Sequence, residues 1–374
     1  MDWYCPLPFK HAYIDSKGIA ACCQTPRYNM SVKQWIDSDK LKNLQDQLLS
    51  GKVPSVCNGC VNQEKTQQRS LRTDSITDYN NQVFKETQID FVDYRASNVC
   101  NFKCRSCYPM FSHGIAVETI QNPELQQFFK TPESKVVNIS EANIQWVREN
   151  ITQLKRLMLT GGEPTYMPEL RPILEQIIYD ELDIDVMITS NASFVDDFWC
   201  EFTRKCKRLH WTISLDGVGD VAEIVRHGTK WSTVERNVRW LVHNANSLNF
   251  NTVVSNLTVM NLKSLLLFVN EMKRESIYPR GLHGSDGCRH QFHVSQRPYL
   301  LAADNWPEEL KPKVLDSLKD CAKLDLDNEQ ATMVTGLIQQ ISDAKFNKEL
   351  WQQNTQYNSI LDNLRKENYQ TLYQ

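Results

Sequence analysis

No stretch of this 374-residue chain approaches the run of about 18 apolar residues that a transmembrane helix requires, so no membrane span is expected. Charge of one sign is not in excess either. The chain has 42 Lys and Arg against 45 Asp and Glu, a formal net charge of −3. That balance offers no basic face, so neither nucleic acid nor a membrane surface is expected as a partner. The opening residues, Met1-Asp-Trp-Tyr-Cys-Pro6, lack a basic stretch followed by an apolar core, so they are not expected to act as a secretion signal. Internal repeats and long low-complexity segments are missing too. What remains is 41% apolar and 23% charged, the balance of a globular protein long enough for two or three units of ordinary domain size.

Cysteine is what the chain has in quantity. Twelve cysteines without a secretion signal argue for metal or redox chemistry in a reducing cytoplasm rather than for disulfides. Cys5, Cys22, Cys23, Cys57 and Cys60 lie near the N-terminus, and Cys200, Cys206, Cys288 and Cys321 are scattered and read as ordinary thiols. Cys100-Asn-Phe-Lys-Cys104-Arg-Ser-Cys107 forms a C-x3-C-x2-C run just after the strand-like stretch Ile89–Tyr94. A structural zinc or an ordinary iron–sulfur cluster takes four protein ligands. Three thiolates in one loop suit a cubane whose fourth iron stays open to a substrate or cofactor, which is a catalytic arrangement.

The rest of the chain is ordered around that loop. Ser31-x-x-Gln34 reads as a capping box, Leu41, Leu44 and Leu48 recur at helical spacing, and Gly51 ends that run. Asn62 to Gln88 is polar and reads as a linker. From about 88 to 295, strands expected at 89–94, 156–160, 184–190, 209–215, 251–255 and 291–294 alternate with helical stretches such as Ile144, Val147, Ile151 and Leu154. This alternation predicts an α/β fold of repeated βα units, six strands making a partial (β/α)6 TIM-type barrel with its chemistry at the C-terminal ends of the strands. Residues 296–374 are expected to be helical, with Ala331, Val334, Ile338 and Ile341 on one stripe and an ion pair between Asp362 and Arg365. The expected organisation is a cysteine module at 1–66, a linker at 67–87, the partial barrel at 88–295 and a helical C-terminal region at 296–374.

Several polar motifs fall at strand ends. Thr160-Gly161-Gly162-Glu163-Pro164 combines adjacent glycines, which let a ligand approach the backbone, with a carboxylate for an ammonium. Ser190-Asn191 follows the third strand. Ser214-Leu-Asp216-Gly217 ends the fourth and suits a ribose diol, and Arg226 suits a carboxylate through its bidentate fork. Cys288-x-His290-x2-His293 reads as two histidines lining or flanking the barrel mouth rather than as a metal site.

Together the cysteine loop and Gly161-Gly-Glu-Pro164 resemble the radical S-adenosylmethionine (radical SAM) superfamily over roughly residues 88–295. The resemblance implies a [4Fe-4S] cluster on Cys100, Cys104 and Cys107 whose open iron chelates S-adenosylmethionine. It implies that Gly161, Gly162, Glu163 and Pro164 hold the methionine amino group, that Ser214 and Asp216 face the ribose, that Arg226 meets the carboxylate, and that Ser190 and Asn191 border the cofactor. Ser106 stands where the superfamily often has an aromatic residue, and Tyr108 takes part of that packing role.

The N-terminal cysteines are similar to the auxiliary-cluster modules called SPASM and twitch: Cys5-Pro-Leu-Pro-Phe9, Gly18-x3-Cys22-Cys23, then Val53-Pro-Ser-Val-Cys57-x2-Cys60. Here the module precedes the barrel instead of following it. The resemblance implies one auxiliary [4Fe-4S] cluster on Cys5, Cys22, Cys57 and Cys60. The usual Gly-x4-Cys spacing selects Cys23 instead, and the alignment of Ile19 selects Cys22, which is preferred. A zinc site with four cysteine ligands is the alternative. Glu64, Ser70 and Arg72 fit the same pattern with no role attached. The resemblance implies oxidative modification of a peptide or protein side chain, with a reductant such as flavodoxin or ferredoxin. A small-molecule substrate (a sugar, nucleoside or amino acid derivative) is the second expectation, and a non-catalytic iron–sulfur sensor the third.

Overall fold

The computed structural model describes residues 3–65, 69–129, 136–276, 288–295 and 298–374. The expected domain boundaries at 66/67 and 295/296 each touch residues outside this set. The chain divides into two compact units. The first comprises Met1–Asn98, Val136–Ile188 and Cys206–Arg208, and the second Val99–Lys135, Thr189–Lys205 and Leu209–Gln374.

The first unit is built on five strands: β1 (His11–Asp15), β2 (Gly18–Ala20), β3 (Phe91–Arg95), β5 (Arg156–Thr160) and β6 (Asp185–Ser190, up to Ile188 in this unit), with β4 (Lys103–Cys104) belonging to the second unit. Their order is β2-β1-β3-β5-β6, parallel except for the β1–β2 hairpin. Register follows from the apolar alternation. Ala12, Val92, Leu157 and Val186 stand in one row and Ile14, Tyr94, Leu159 and Ile188 in the next, all buried. A one-residue slip would turn both rows to the wrong face. Burying each Val, Leu or Ile side chain of these rows contributes roughly 1.5–3 kcal/mol. The opposite face carries Tyr13, Asp93, Met158 and Met187.

β1 and β2 were not expected, because these short strands beside the cysteines give no two-residue period. Through β1 the N-terminal segment becomes an added strand beside β3. The stretch expected as a linker forms the helix Leu71–Asp78 and packs within the same unit. Arg156 Nη1 donates to Asp78 at 2.9 Å and the Tyr79 hydroxyl to Asp90 at 2.7 Å. The capping box at Ser31 and Gln34 forms as expected, and Val32 N–H donates to Asn143 Oδ1 at 2.9 Å.

The second unit holds β7 (Leu209–Ser214), β9 (Ser247–Val254) and β10 (His290–Val294), parallel and in that order. A separate antiparallel pair joins β4 to β8 (Arg226–His227). With helices between the strands, the two units provide the (β/α)6 succession of a partial TIM-type barrel, followed by a helical C-terminal region. In that region the buried side of helix Asn328–Asp343 is Gln330, Val334, Leu337 and Ile341. Ala331 is exposed and Ile338 half-buried, so the expected stripe is rotated by part of a turn. Among the described residues, no helix is long and apolar enough to cross a membrane.

Candidate active site

The cysteine loop lies in the second unit, and its backbone is pinned on both sides. Lys103 and Cys104 pair with His227 and Arg226 across the β4–β8 ribbon, placing Cys104 opposite Arg226. Arg105 N–H donates to Val225 O at 2.9 Å, and the Ser112 hydroxyl donates to Phe102 O at 3.1 Å. Gly228 has a φ of +102°, and a Cβ there would stand 2.9 Å from Asn101 O, so only glycine lets β8 approach the loop.

Side chains complete the clamp. Arg105, between two of the cysteines, has a fully buried side chain. All five of its donors are used: Nε on Ile224 O (3.1 Å), Nη1 on Asn358 O (3.3 Å) and Oδ1 (2.9 Å), Nη2 on Asp362 (2.5 Å) and Glu367 (2.7 Å). The Tyr357 hydroxyl donates to Arg105 O at 2.9 Å. Lys103 and Arg365 both hold Glu118, each at 2.6 Å. Burial pushes the Glu118 carboxyl up, and these two cations more than offset it, leaving it below its ordinary value. The expected Asp362–Arg365 pair is therefore replaced: each residue pairs instead with a group from the cysteine-loop side of the unit.

Arg226 Nη1 donates to Asp216 Oδ2 at 2.9 Å, and Asp216 Oδ1 accepts from Val253 N–H at 2.9 Å. Burial opposes the Arg226 charge, but Cys104, Asp216, Cys100 and Cys107 together hold its pKa above the ordinary value. Its Nε is buried without a partner. Asn191 Nδ2 donates to Asn101 Oδ1 at 3.0 Å, tying the turn after β6 to the loop, and the Ser190 hydroxyl caps Ala192 N–H at 3.0 Å. Ser214 stands opposite Asn251, whose Oδ1 is also buried without a partner. Tyr108 packs edge-on against Phe129 and, with Gln127, Phe128, Tyr299 and Gln353, lines a cavity of about 410 Å³. In the first unit, Gly161 has a φ of +134° and its missing Cβ would stand 2.7 Å from Ser97 O, which accepts from Gly162 N–H at 3.0 Å. The Glu163 carboxylate is buried and accepts from the Thr165 hydroxyl at 2.7 Å.

Residues 94–268 match the family model described as the radical SAM superfamily. The chain carries a radical SAM domain. Comparison with curated proteins gave no match. Among solved structures, native anSMEcpe with bound AdoMet is 18% identical, covers 60% of this chain and 58% of its own, and has a TM-score of 0.39. Streptococcus suis SuiB bound to the precursor peptide SuiA is 15% identical, covers 78% and 61%, and has a TM-score of 0.41. Methylornithine synthase (PylB) is 13% identical, covers 71% and 68%, and has a TM-score of 0.37. The chain thus spans under two thirds of the first two proteins' lengths.

A radical SAM domain implies a [4Fe-4S] cluster and S-adenosylmethionine, and the residues present fit both. Burial raises the pKa of Cys104 and pushes the Cys107 thiol up to about 12, with Cys104 adding to the latter. Thiolates in this setting need a cationic group to hold them ionised. The unpartnered Nε of Arg226, in electrostatic reach of all three cysteines, has a donor left for an anion.

A second cysteine group stands in the first unit. Cys5, Cys22, Cys57 and Cys60 line one cavity together with Leu7, Leu44, Val56, Leu71 and Arg72. Cys57 ends a 3-10 turn and Cys60 follows one helical turn later, so both face the same way. Cys23 is exposed and does not line the cavity. Burial pushes Cys5 and Cys22 up to about 12 and Cys57 to about 11, and neighbouring thiols add to each shift. Such a set also calls for a cationic group at its centre. No group of three or more His, Cys, Asp or Glu among the described residues has the arrangement of a site for a single metal ion.

His290 does not flank the barrel mouth. It is fully buried in the row of Phe250. Its Nε2–H donates to Thr252 Oγ1 at 2.8 Å, while Thr252 donates to Leu215 O. His293, three residues on, takes the opposite face of β10, as the two-residue period of a strand requires. Arg105, Glu118, Asn251 and Glu367 escaped notice in the sequence. A charged residue inside a cysteine loop or near a C-terminus carries no local signal of burial.

Proposed function

We propose that this chain is an enzyme that uses S-adenosylmethionine and two [4Fe-4S] clusters to oxidise a side chain of a peptide or protein. The observation that carries the proposal is the cavity ringed by Cys5, Cys22, Cys57 and Cys60 in a chain that also bears a radical SAM domain. A [4Fe-4S] cluster held by Cys100, Cys104 and Cys107, together with S-adenosylmethionine, would supply radical chemistry able to remove a hydrogen atom from a substrate carbon, and a cluster held by Cys5, Cys22, Cys57 and Cys60 would take the remaining electron as the substrate gives up a proton.

The protein's own groups bind and orient. Glu163, held by Thr165, receives the methionine ammonium, and the backbone of Gly161 and Gly162 allows its close approach. Arg226 meets the carboxylate while Asp216 keeps its guanidinium in place. Ser214, Ser190 and Asn191 border the nucleoside. The buried clamp around Arg105 fixes the loop and excludes water from it. Electrons enter from a reductant such as flavodoxin or ferredoxin. The cavity beside Tyr108, about 410 Å³, is in the range of small-molecule sites and supports a second reading in which the substrate is a small molecule.

The test is anaerobic reconstitution, reduction and addition of S-adenosylmethionine. Release of 5′-deoxyadenosine by the wild type and not by Cys104→Ala supports an enzyme. Tight cofactor binding without cleavage would make the chain a sensor and overturn the proposal.

A further inference from the structure

Helix Leu71–Asp78 forms one wall of the N-terminal cysteine cavity. Leu71 and Arg72 line it, and Ser75 Oγ, one turn on from Arg72, stands 3.9 Å from Cys5 Sγ. Arg72 has three kinds of contact. Its Nε and Nη2 donate to the two oxygens of Glu64, the former at 3.0 Å. Its Nη1 donates to Tyr4 O at 3.1 Å, and its guanidinium lies 3.9 Å from the centroid of the Trp3 ring. Glu64 also accepts from the Ser70 hydroxyl at 2.5 Å.

The placement of these partners gives the contact its meaning. Tyr4 adjoins Cys5, and Glu64 lies four residues beyond Cys60 on the helix Asn58–Lys65. One planar guanidinium therefore joins the segment carrying Cys5 to the helix carrying Cys60, which a point charge on a flexible stem could not do. Arg72 lines the cavity while Glu64 does not. The charge nearest the four thiols is therefore the positive member of the pair, with its counterion one step behind.

We propose that Arg72, backed by Glu64, is the positioning residue of the auxiliary cluster site and sets the reduction potential there. The proposal rests on the auxiliary-cluster reading above. A cation at the wall favours the reduced, more negative cluster, and the carboxylate behind it moderates that effect. Removing the two charges one at a time must then shift the potential in opposite directions, which loss of packing alone would not do.

The experiment is an EPR-monitored redox titration of the anaerobically reconstituted full-length protein, following the cluster signal that S-adenosylmethionine leaves unchanged. Arg72→Gln is expected to lower the reduced-to-oxidised ratio at fixed potential about tenfold, equal to about 59 mV for a one-electron couple. Glu64→Gln is expected to raise it, the double variant to return near wild type, and Arg72→Lys to keep the wild-type potential with lower iron retention. If Arg72→Gln no longer loads the cluster, Glu64→Gln decides: a raised potential supports the proposal, and an unchanged or lowered one overturns it. Single variants that shift together, or not at all, also overturn it. A wild-type protein holding only about four irons per chain removes the auxiliary-cluster reading itself.

Discussion

Arg105 and Asp362 meet at 2.5 Å although 257 positions separate them in the chain. One lies between the cysteines of the radical SAM loop and the other in the helix Lys348–Arg365. With Asn358 and Glu367 adding three more bonds, the C-terminal helical region holds the loop's conformation from behind.

Breaking that contact should be costly, because the Arg105 side chain is fully buried. Arg105→Gln leaves Asp362 and Glu367 facing a side chain without charge, and loss of one partner of a buried ion pair costs roughly 3–5 kcal/mol. Chemical denaturation should show this loss, and the variant should retain less iron on Cys100, Cys104 and Cys107. A stability within 1 kcal/mol of wild type would show that the clamp is dispensable.

The choice between the adjacent cysteines can be measured directly. Cys22→Ala should lower reconstituted iron from about eight to about four atoms per chain, whereas Cys23→Ala should keep about eight. The reverse pattern would mean that Cys23 turns inward when the site is loaded. One zinc per chain in the wild type would replace the auxiliary cluster with a structural metal.

Gly161→Ala places a Cβ 2.7 Å from Ser97 O at a φ of +134°. Strain of this kind costs about 1–3 kcal/mol. Because the turn positions Glu163, calorimetry should show S-adenosylmethionine binding weakened at least about tenfold while Cys5–Cys60 iron is retained. Unchanged affinity would remove this turn from the cofactor site.

Acid sensitivity should begin near neutrality. Burial lowers His290 to about 3 and His11 to about 4, in the latter against a 2.8 Å hydrogen bond from its Nδ1–H to Ala21 O. The unfolded chain takes up protons at these rings from about pH 6.5 downward, whereas the folded chain does not. Their contribution is therefore complete above about pH 6.5. It falls by roughly 1.4 kcal/mol per ring for each unit below that, until the folded values are reached. Denaturation at pH 7.5 and 5.5 should show this decline, and His290→Gln should remove about half of it. Glu118 and Glu367, both held below their ordinary values, add a further loss only below about pH 4.3. An equal decline in the variant would assign the acid sensitivity to other groups.

Much of the fold was legible because its signals are local. The strand Arg156–Thr160 sits where its apolar run predicts, and β9 runs Ser247–Val254 where 251–255 is expected. The cysteine loop, Gly161-Gly-Glu and Ser214–Asp216 were visible for the same reason: spacing and residue type within a few positions specify what a loop can bind. β1 is not legible because a strand of five residues, the first four all buried, gives no two-residue period beside a cysteine pattern. The Asp362–Arg365 pair was misjudged because helical spacing offers a local partner but says nothing about a distant one that competes for the same charge.

The sequence alone determined the chemistry that three thiolates in one loop can support, and the alternation of strand and helix that presents it. Both depend on periods and spacings that the backbone enforces over short distances. Only the tertiary structure decided that Cys22 rather than Cys23 lines the cavity, that His290 is buried, that Arg72 bridges Tyr4 to Glu64, and that Arg105 is held by the C-terminal helix. Those outcomes depend on which distant groups burial brings together. A polar residue shows the same face in the sequence whether it ends in solvent or fully paired in a core.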